Sequence, residues 1–342
     1  MRRGHTRSHS ELGSQALQRR WYFALRYGRV GRCQALNNTQ TVPMKNIIII
    51  TGGAGFVGSN LIEHLIKKTK FEIISLDNYS SGTPKNHIKN RRVKYLKVNT
   101  EKIDTALNKY KKKINAVFHF GEFARIYQSF LKFNECFQSN SVGSNSVFKF
   151  CLENKIKLIY SATSATMGNA GNDKNLSPYA FSKSKNLELL ENLKKWFNFK
   201  YEVIYFYNVY GPRQICKGDM ATVVGIFEDY YLRNKKLPVV RPGIQTRRFT
   251  HISDTIKVCF EAWKLNKNRH YSIASKNSYS IIQLAKMFKS KLTYLPRRDG
   301  ERYASALNSM NLNNKIHKRF GKISLELYVK EFLEKHHFTR KN

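Results

Sequence analysis

The chain has 342 residues, with 61 lysines and arginines against 23 aspartates and glutamates and a formal net charge of +38. This length holds one large α/β domain or two smaller ones, and no run approaches the ~20 apolar residues that span a bilayer. The charge admits a nucleic-acid or anionic-membrane partner, but the lysines are scattered and no helix-turn-helix, zinc-finger or RNA-binding signature accompanies them, so solvated lysine is the preferred reading and no specific nucleic-acid partner is expected.

Residues 1–43 differ from the rest, with eight arginines, one acid (Glu11) and neither lysine nor isoleucine. No apolar periodicity is sustained there, which predicts a disordered basic tail. Arginine-rich, acid-poor segments with serines serve as organelle transit peptides. The preferred reading is instead that Met44, one residue ahead of the first strand, is the natural start and the upstream stretch an extension. From Met44 onward strands and helices alternate. Strands are predicted at 46–50, 71–76, 93–98, 116–119, 157–161 and 202–207, and helices near 57–68, 103–111, 134–154 and 178–197. That alternation predicts an α/β fold, a Rossmann-type doubly wound parallel sheet over residues 44–212. Beyond Gly211 the order loosens, with helices near 222–234, 253–266 and 280–289 and a strand at 270–273. Residues 213–342 are expected to form a smaller C-terminal α/β substrate-binding region, with elements near 247–275 returning to the first domain. No secretory signal with an apolar core is present. The five cysteines (Cys33, Cys136, Cys151, Cys216 and Cys259) lack metal or redox spacing, and they read as reduced thiols of a cytoplasmic protein without a metal site.

The first strand breaks into Thr51-Gly52-Gly53-Ala54-Gly55-Phe56-Val57-Gly58, and an amphipathic stretch follows at once. Glycines at 52, 55 and 58 let the backbone bend and approach a ligand closely, while the opening helix offers free N–H groups to a pyrophosphate. The second strand ends at Asp77, about 20 residues on, as a dinucleotide fingerprint expects. An acid there accepts hydrogen bonds from the adenosine ribose and repels a 2′-phosphate, which selects NAD over NADP.

Pro178 opens a helix in which Tyr179 and Lys183 stand one turn apart on the same face. A phenol that ordinarily titrates near pH ~10 becomes a usable base when an ammonium stabilises its phenolate. Upstream, the strand at 157–161 runs into Ser161-Ala162-Thr163-Ser164-Ala165-Thr166, placing hydroxyls at the carboxyl end where such sheets bind ligands. One of them can bridge the phenol and a substrate alcohol.

With these motifs in this order, residues 45–335 resemble the extended short-chain dehydrogenase/reductases, specifically the NAD-dependent nucleotide-sugar epimerases of the UDP-glucose 4-epimerase kind. The resemblance implies Tyr179 as the base at the sugar C4 hydroxyl, Lys183 as the residue that holds the nicotinamide ribose, and Thr163 as the catalytic hydroxyl. It implies cofactor contacts at Gly52, Gly55, Phe56, Val57 and Gly58. Further cofactor contacts are implied at Asp77, Asn78, Asn99 and Phe120, and at Tyr179 and Lys183 themselves. Tyr207-Asn208-Val209-Tyr210-Gly211-Pro212-Arg213 resembles the segment whose asparagine touches the sugar nucleotide. The arms 247–251 and 297–302 supply Arg247 and Arg298 for the diphosphate and Glu301 for the nucleotide's ribose. A homodimer built through the helices near 134–154 and 178–197 is implied as well.

The chain departs from that pattern in several places. Ser161-Ala162-Thr163 replaces a serine-rich triplet, Met167 a common tyrosine, and Asn99 an aspartate at the adenine; the stretch from Thr163 to Tyr179 is short. After His119, Gly121-Glu122-Phe123-Ala124 stands where a pair of small residues is usual. Relatives that eliminate water carry an Asp-Glu pair after the threonine, and decarboxylating ones a glutamate at the Ala165 position. Ser164 and Ala165 therefore favour epimerisation. Lys217-Gly218-Asp219-Met220-Ala221 also resembles the matching loop of ADP-heptose 6-epimerases, which stay open as an alternative. A non-catalytic dinucleotide- or nucleic-acid-binding protein is the alternative of another class.

Overall fold

Four consecutive isoleucines open the first strand, and they divide between two cores. The computed structural model describes residues 45–167, 173–265, 267–300 and 320–336; the basic tail and Glu301 lie outside the described residues. The chain runs β1 (Ile47–Thr51), α1 (Phe56–Lys68), β2 (Glu72–Asp77), β3 (Val93–Lys97), α2 (Ile103–Leu107) and β4 (Ile114–His119). Then follow α3 (Ile126–Leu131), α4 (Phe133–Phe137), α5 (Ser144–Glu153), β5 (Lys157–Thr163), α6 (Pro178–Phe197) and β6 (Tyr201–Phe206). The second half contributes β7 (Val209–Tyr210), α7 (Val223–Leu232), β8 (Leu237–Val240), β9 (Thr246–Arg248), β10 (Thr250–His251) and α8 (Ile252–Leu265). It continues with β11 (His270–Ser272), β12 (Ser278–Ser280), α9 (Ile281–Met287), β13 (Leu292–Leu295) and α10 (Leu325–His336).

Seven strands form one all-parallel sheet in the order β11-β6-β5-β4-β1-β2-β3. Side chains alternate across a strand, so Ile47 and Ile49 pack with Leu107, Val147, Phe148 and Leu190 on one face. Ile48 and Ile50 pack with Leu61, Ile62, Leu65 and Ile256 on the other. Each such side chain, fully withdrawn from water, contributes about 1.5–3 kcal/mol. The strand order reverses between β1 and β4, which opens the ligand crevice beyond Thr51 and His119. A third cluster, including Phe227, Leu237, Leu284, Phe288 and Leu325, holds the smaller region together. Its short strands pair as β7–β10, β8–β13 and β9–β12.

Two expected helices differ. The helix near 103–111 ends at Leu107 and continues as a 3-10 turn over Asn108–Lys113. The single helix near 134–154 is α4 and α5 joined by a π turn over Gln138–Gly143. There the Asn140 side chain accepts from the Phe123 N–H at 2.7 Å and donates to the Phe123 carbonyl at 3.0 Å. The Asn140 carbonyl is meanwhile taken by the Asn186 amide at 2.6 Å. The last of these bonds occupies a backbone acceptor that a regular helix would use, and the wide turn accommodates it. Among the described residues no helix is long and apolar enough to cross a membrane, and no group of acids, histidines or cysteines could hold a metal ion.

Candidate active site

The glycine turn is shaped for close backbone approach. Gly52 has φ +71°, and a Cβ there would lie 2.9 Å from the Gly121 nitrogen. No side chain caps α1 at Gly55, so the N–H groups of its first turn remain for an anion. Phe56 is buried at the head of α1 and Val57 half-buried beside it. Asp77 accepts from the Ala54 N–H at 2.9 Å and the Tyr79 N–H at 2.8 Å. Burial pushes its carboxyl above the usual range, and those two N–H groups pull it back. Each oxygen keeps lone-pair capacity for a ribose hydroxyl. Beyond the ends of β2 and β3, a cavity of about 260 Å³ is lined by Asn78, Lys97, Val98, Asn99 and Lys102. Phe120 closes the base of the crevice, its N–H donating to the Thr51 hydroxyl at 3.1 Å. An uncapped helix, a cradle with no room for a Cβ and an acid with remaining acceptor capacity fit the adenosine diphosphate half of a dinucleotide.

On the other side of the switch point, α6 begins as its sequence dictates. Ser177 caps it by accepting from the Ala180 N–H at 3.1 Å, and Pro178 takes the first turn. Tyr179 is 8% exposed and its N–H donates to the Ser129 hydroxyl at 3.2 Å. It shares a buried cluster with Cys136, Ala165 and Ala180, which sets it against the turn that follows Thr163. Thr163 ends β5, its hydroxyl accepting from the Ala165 N–H at 3.2 Å.

Lys183 is buried, and its ammonium meets Glu122, the carbonyl of Ser161 and, at 3.4 Å, the Tyr160 hydroxyl. Burial pushes its pKa down and Glu122 pulls it back up. Arg125 lies close enough to feel Tyr179, and burial lowers its pKa. One of its amino groups donates to the Met220 carbonyl and the other to the Ala124 carbonyl at 2.7 Å, while its buried Nε lacks a partner.

The expected substrate residues lie on separate elements. Asn208, at φ +34°, donates to the Arg248 carbonyl at 2.8 Å and so ties the end of β6 to β9. Arg247 is 8% exposed on β9. Arg298 lies over the Tyr127 ring at 5.1 Å, and Gly300 packs close to Phe130 and Ile126, so the arm through 297–300 crosses α3. Sequence reasoning missed Arg125, Tyr160, Asn140 and Asn186, and it registered Glu122 only as a departure. The one available signal was an acid and an arginine in a segment where small residues are usual.

Fold and crevice together define the class, an α/β enzyme of the short-chain dehydrogenase/reductase type. A family model described as NAD dependent epimerase/dehydratase matches residues 48–274, and the chain belongs to that family. It is 27% identical over 274 residues to a Methanocaldococcus jannaschii protein provisionally named UDP-glucose 4-epimerase, covering 75% of this chain and 88% of that one. It is 28% identical over 261 residues to the ADP-L-glycero-D-manno-heptose-6-epimerase of Brachyspira hyodysenteriae, covering 71% and 80%. The crystal structure of UDP-glucose 4-epimerase from Thermotoga maritima, with UDP-glucose, matches at TM-score 0.76 and 26% identity over 86% of this chain and 99% of that one. The protein is an NAD-dependent nucleotide-sugar epimerase of the extended type, and its cofactor is NAD.

Proposed function

We propose that the protein epimerises a UDP-sugar at C4 through a 4-keto intermediate, with Tyr179, Lys183 and Thr163 as catalytic residues. The observation that carries the reading is the turn after β5. Tyr179 packs there against Ala165, next to Ser164, with no carboxyl pair to eliminate water. Tyr179 takes the C4 hydroxyl proton while the Thr163 hydroxyl bridges phenol and sugar. Lys183 keeps a positive charge one turn away, which favours the phenolate. Bound NAD would supply the hydride acceptor for the C4 hydrogen and the hydride donor for its return. Tyr179 returns the proton after the keto sugar has turned about its phosphate linkage.

In this reading residues 44–212 hold the cofactor. Gly52, Gly55, Phe56, Val57 and Gly58 cradle the pyrophosphate, Asp77 and Asn78 meet the ribose, Asn99 the adenine, and Phe120 lies against the cofactor. Residues 213–342 hold most of the substrate, with Arg247 and Arg298 on the diphosphate and Glu301 on the ribose, while Asn208 meets the sugar from the end of the cofactor-binding segment. A second copy docks on α4 to α6, where Phe133 is 52%, Val142 47% and Phe181 39% exposed; sedimentation mass at micromolar protein checks this.

The deciding assay incubates the protein separately with UDP-glucose and UDP-galactose, without added NAD. Both should converge on one mixture. The second reading, ADP-heptose 6-epimerisation, is supported by the resemblance of the loop 217–221, which reaches the junction of α3 and α4 through the Lys132–Asp219 pair at 3.1 Å. An ADP-heptose arm tests it. Conversion of no nucleotide sugar, together with tight and salt-steep DNA binding, would replace both by a binding protein.

A further inference from the structure

Glu122 lies just past the end of β4 and its side chain is only 2% exposed. Four donors converge on its carboxylate. They are the Ser144 hydroxyl at 2.8 Å, the Tyr160 hydroxyl at 3.0 Å, the Asn186 amide at 3.3 Å and the Lys183 ammonium. The polarity of the network behind it is fixed. Ser144 gives its proton to Glu122, so it accepts from His119 Nε2 at 2.9 Å. His119 Nδ1 therefore accepts from the Thr51 hydroxyl at 2.7 Å, and Thr51 in turn accepts from the N–H groups of Phe120 and Gly121. Every bond points toward Glu122. The network has one anion at its focus.

A buried carboxylate with this many donors needs a cation beside it, and a buried lysine needs an anion. We propose that Glu122 is the positioning residue for Lys183, supplying the fixed counter-charge that keeps it an ammonium and aims it along α6 behind Tyr179. The proposal rests on the reading of Lys183 as the lysine of the reaction. The other titratable groups facing the pair are His119 on β4, Cys136 on α4 and Tyr160 on β5, and Tyr179 on α6 acts on Tyr160. Burial holds His119 neutral down to about pH 4, lifts the Cys136 thiol to about 11 and raises Tyr160 well above its ordinary value. Those three keep their charge state between pH 7 and 10, which leaves Lys183 as the reporter once Tyr179 is controlled for.

The test compares Glu122→Gln, Glu122→Asp, Lys183→Met and the double variant Glu122→Gln/Lys183→Met, using the NAD-loaded protein. Stripped of its anion, Lys183 loses its proton at lower pH in the folded state than in the unfolded chain, where lysine titrates near ~10.4. The stability of Glu122→Gln should therefore climb relative to wild type as pH rises from 7 to 10, and the double variant should lose that climb. The alkaline limb of kcat should move at least one pH unit lower in Glu122→Gln and return in Glu122→Asp. A folded Glu122→Gln with wild-type limb and wild-type pH–stability curve overturns the proposal. Should Glu122→Gln not fold, recovery of folding in the double variant supports the proposal and equal failure overturns it. The stability arm needs no substrate, so absence of UDP-sugar turnover would sink the proposed reaction while Glu122 is still decided.

Discussion

Gly58 stands over the Gly52 carbonyl so closely that a Cβ on it would lie 2.2 Å from that oxygen and 2.7 Å from the Gly53 Cα. Both neighbours are backbone, so neither can rotate away. Gly58→Ala should push α1 off the turn, cost about 1–3 kcal/mol as other overpacked sites do, and release NAD. At Gly55 the corresponding contact is 3.2 Å from the same oxygen, so Gly55→Ala should unfold at a temperature closer to wild type. Thermal unfolding with the 260/280 nm absorbance ratio of purified protein measures both effects. Equal losses for the two variants would mean that crowding at Gly58 is not what shapes the turn.

Tyr179→Phe removes one oxygen from the proposed base and leaves α6, its Ser177 cap and the ion pair of Lys183 in place. Turnover should fall about 10²–10⁴-fold, the usual worth of a positioned general base, while bound NAD and melting temperature stay near wild type. A rate within a few-fold of wild type would remove Tyr179 from the chemistry.

What the sequence revealed and what it hid divide along contact distance. The helix predicted at 178–197 matches α6, because local chemistry sets both ends: Pro178 at the start and Asn198 in the left-handed conformation at the stop. The central strands were legible because runs such as Ile47–Ile50 leave no alternative to burial. The break at Gln138–Gly143 was not legible, since Asn140 is held by Phe123 and Asn186, 17 and 46 residues away. The pairs β7–β10, β8–β13 and β9–β12 are strands of two to four residues that only remote partners define. Glu122 belongs with these: its donors come from 22 to 64 residues further along the chain.

His119 makes acid stability predictable. It is fully buried between Thr51 and Ser144, and burial takes its pKa from 6.5 down to about 4. The folded protein therefore binds fewer protons at this group than the unfolded chain, so the stability it contributes is complete above about pH 6.5 and is lost as pH falls toward 4. The full loss is about 3 kcal/mol. His119→Gln keeps an acceptor and a donor without the titration, so denaturant midpoints of the two proteins should converge as pH falls from 7 to 4.5. Parallel curves would show that His119 is not the group that charges.

Two tethers hold the loop 217–221 to the segment beside Tyr179, and their strengths differ. Lys132 and Asp219 are 39% and 56% exposed, and such a pair contributes at most about 1 kcal/mol after screening. Arg125 is half-buried and gives one hydrogen bond to the Met220 carbonyl with its charge on the side of Tyr179; charge-assisted bonds of this kind are worth about 1.5–3 kcal/mol. Arg125→Met should therefore loosen the loop, speeding tryptic cleavage after the exposed Lys217 and raising KM for the nucleotide sugar about tenfold. Lys132→Met should change neither by more than about twofold. If Lys132→Met opened the loop as far as Arg125→Met, the surface pair would be as strong a latch as the Arg125 bond to Met220, and the ranking of the two tethers would be wrong.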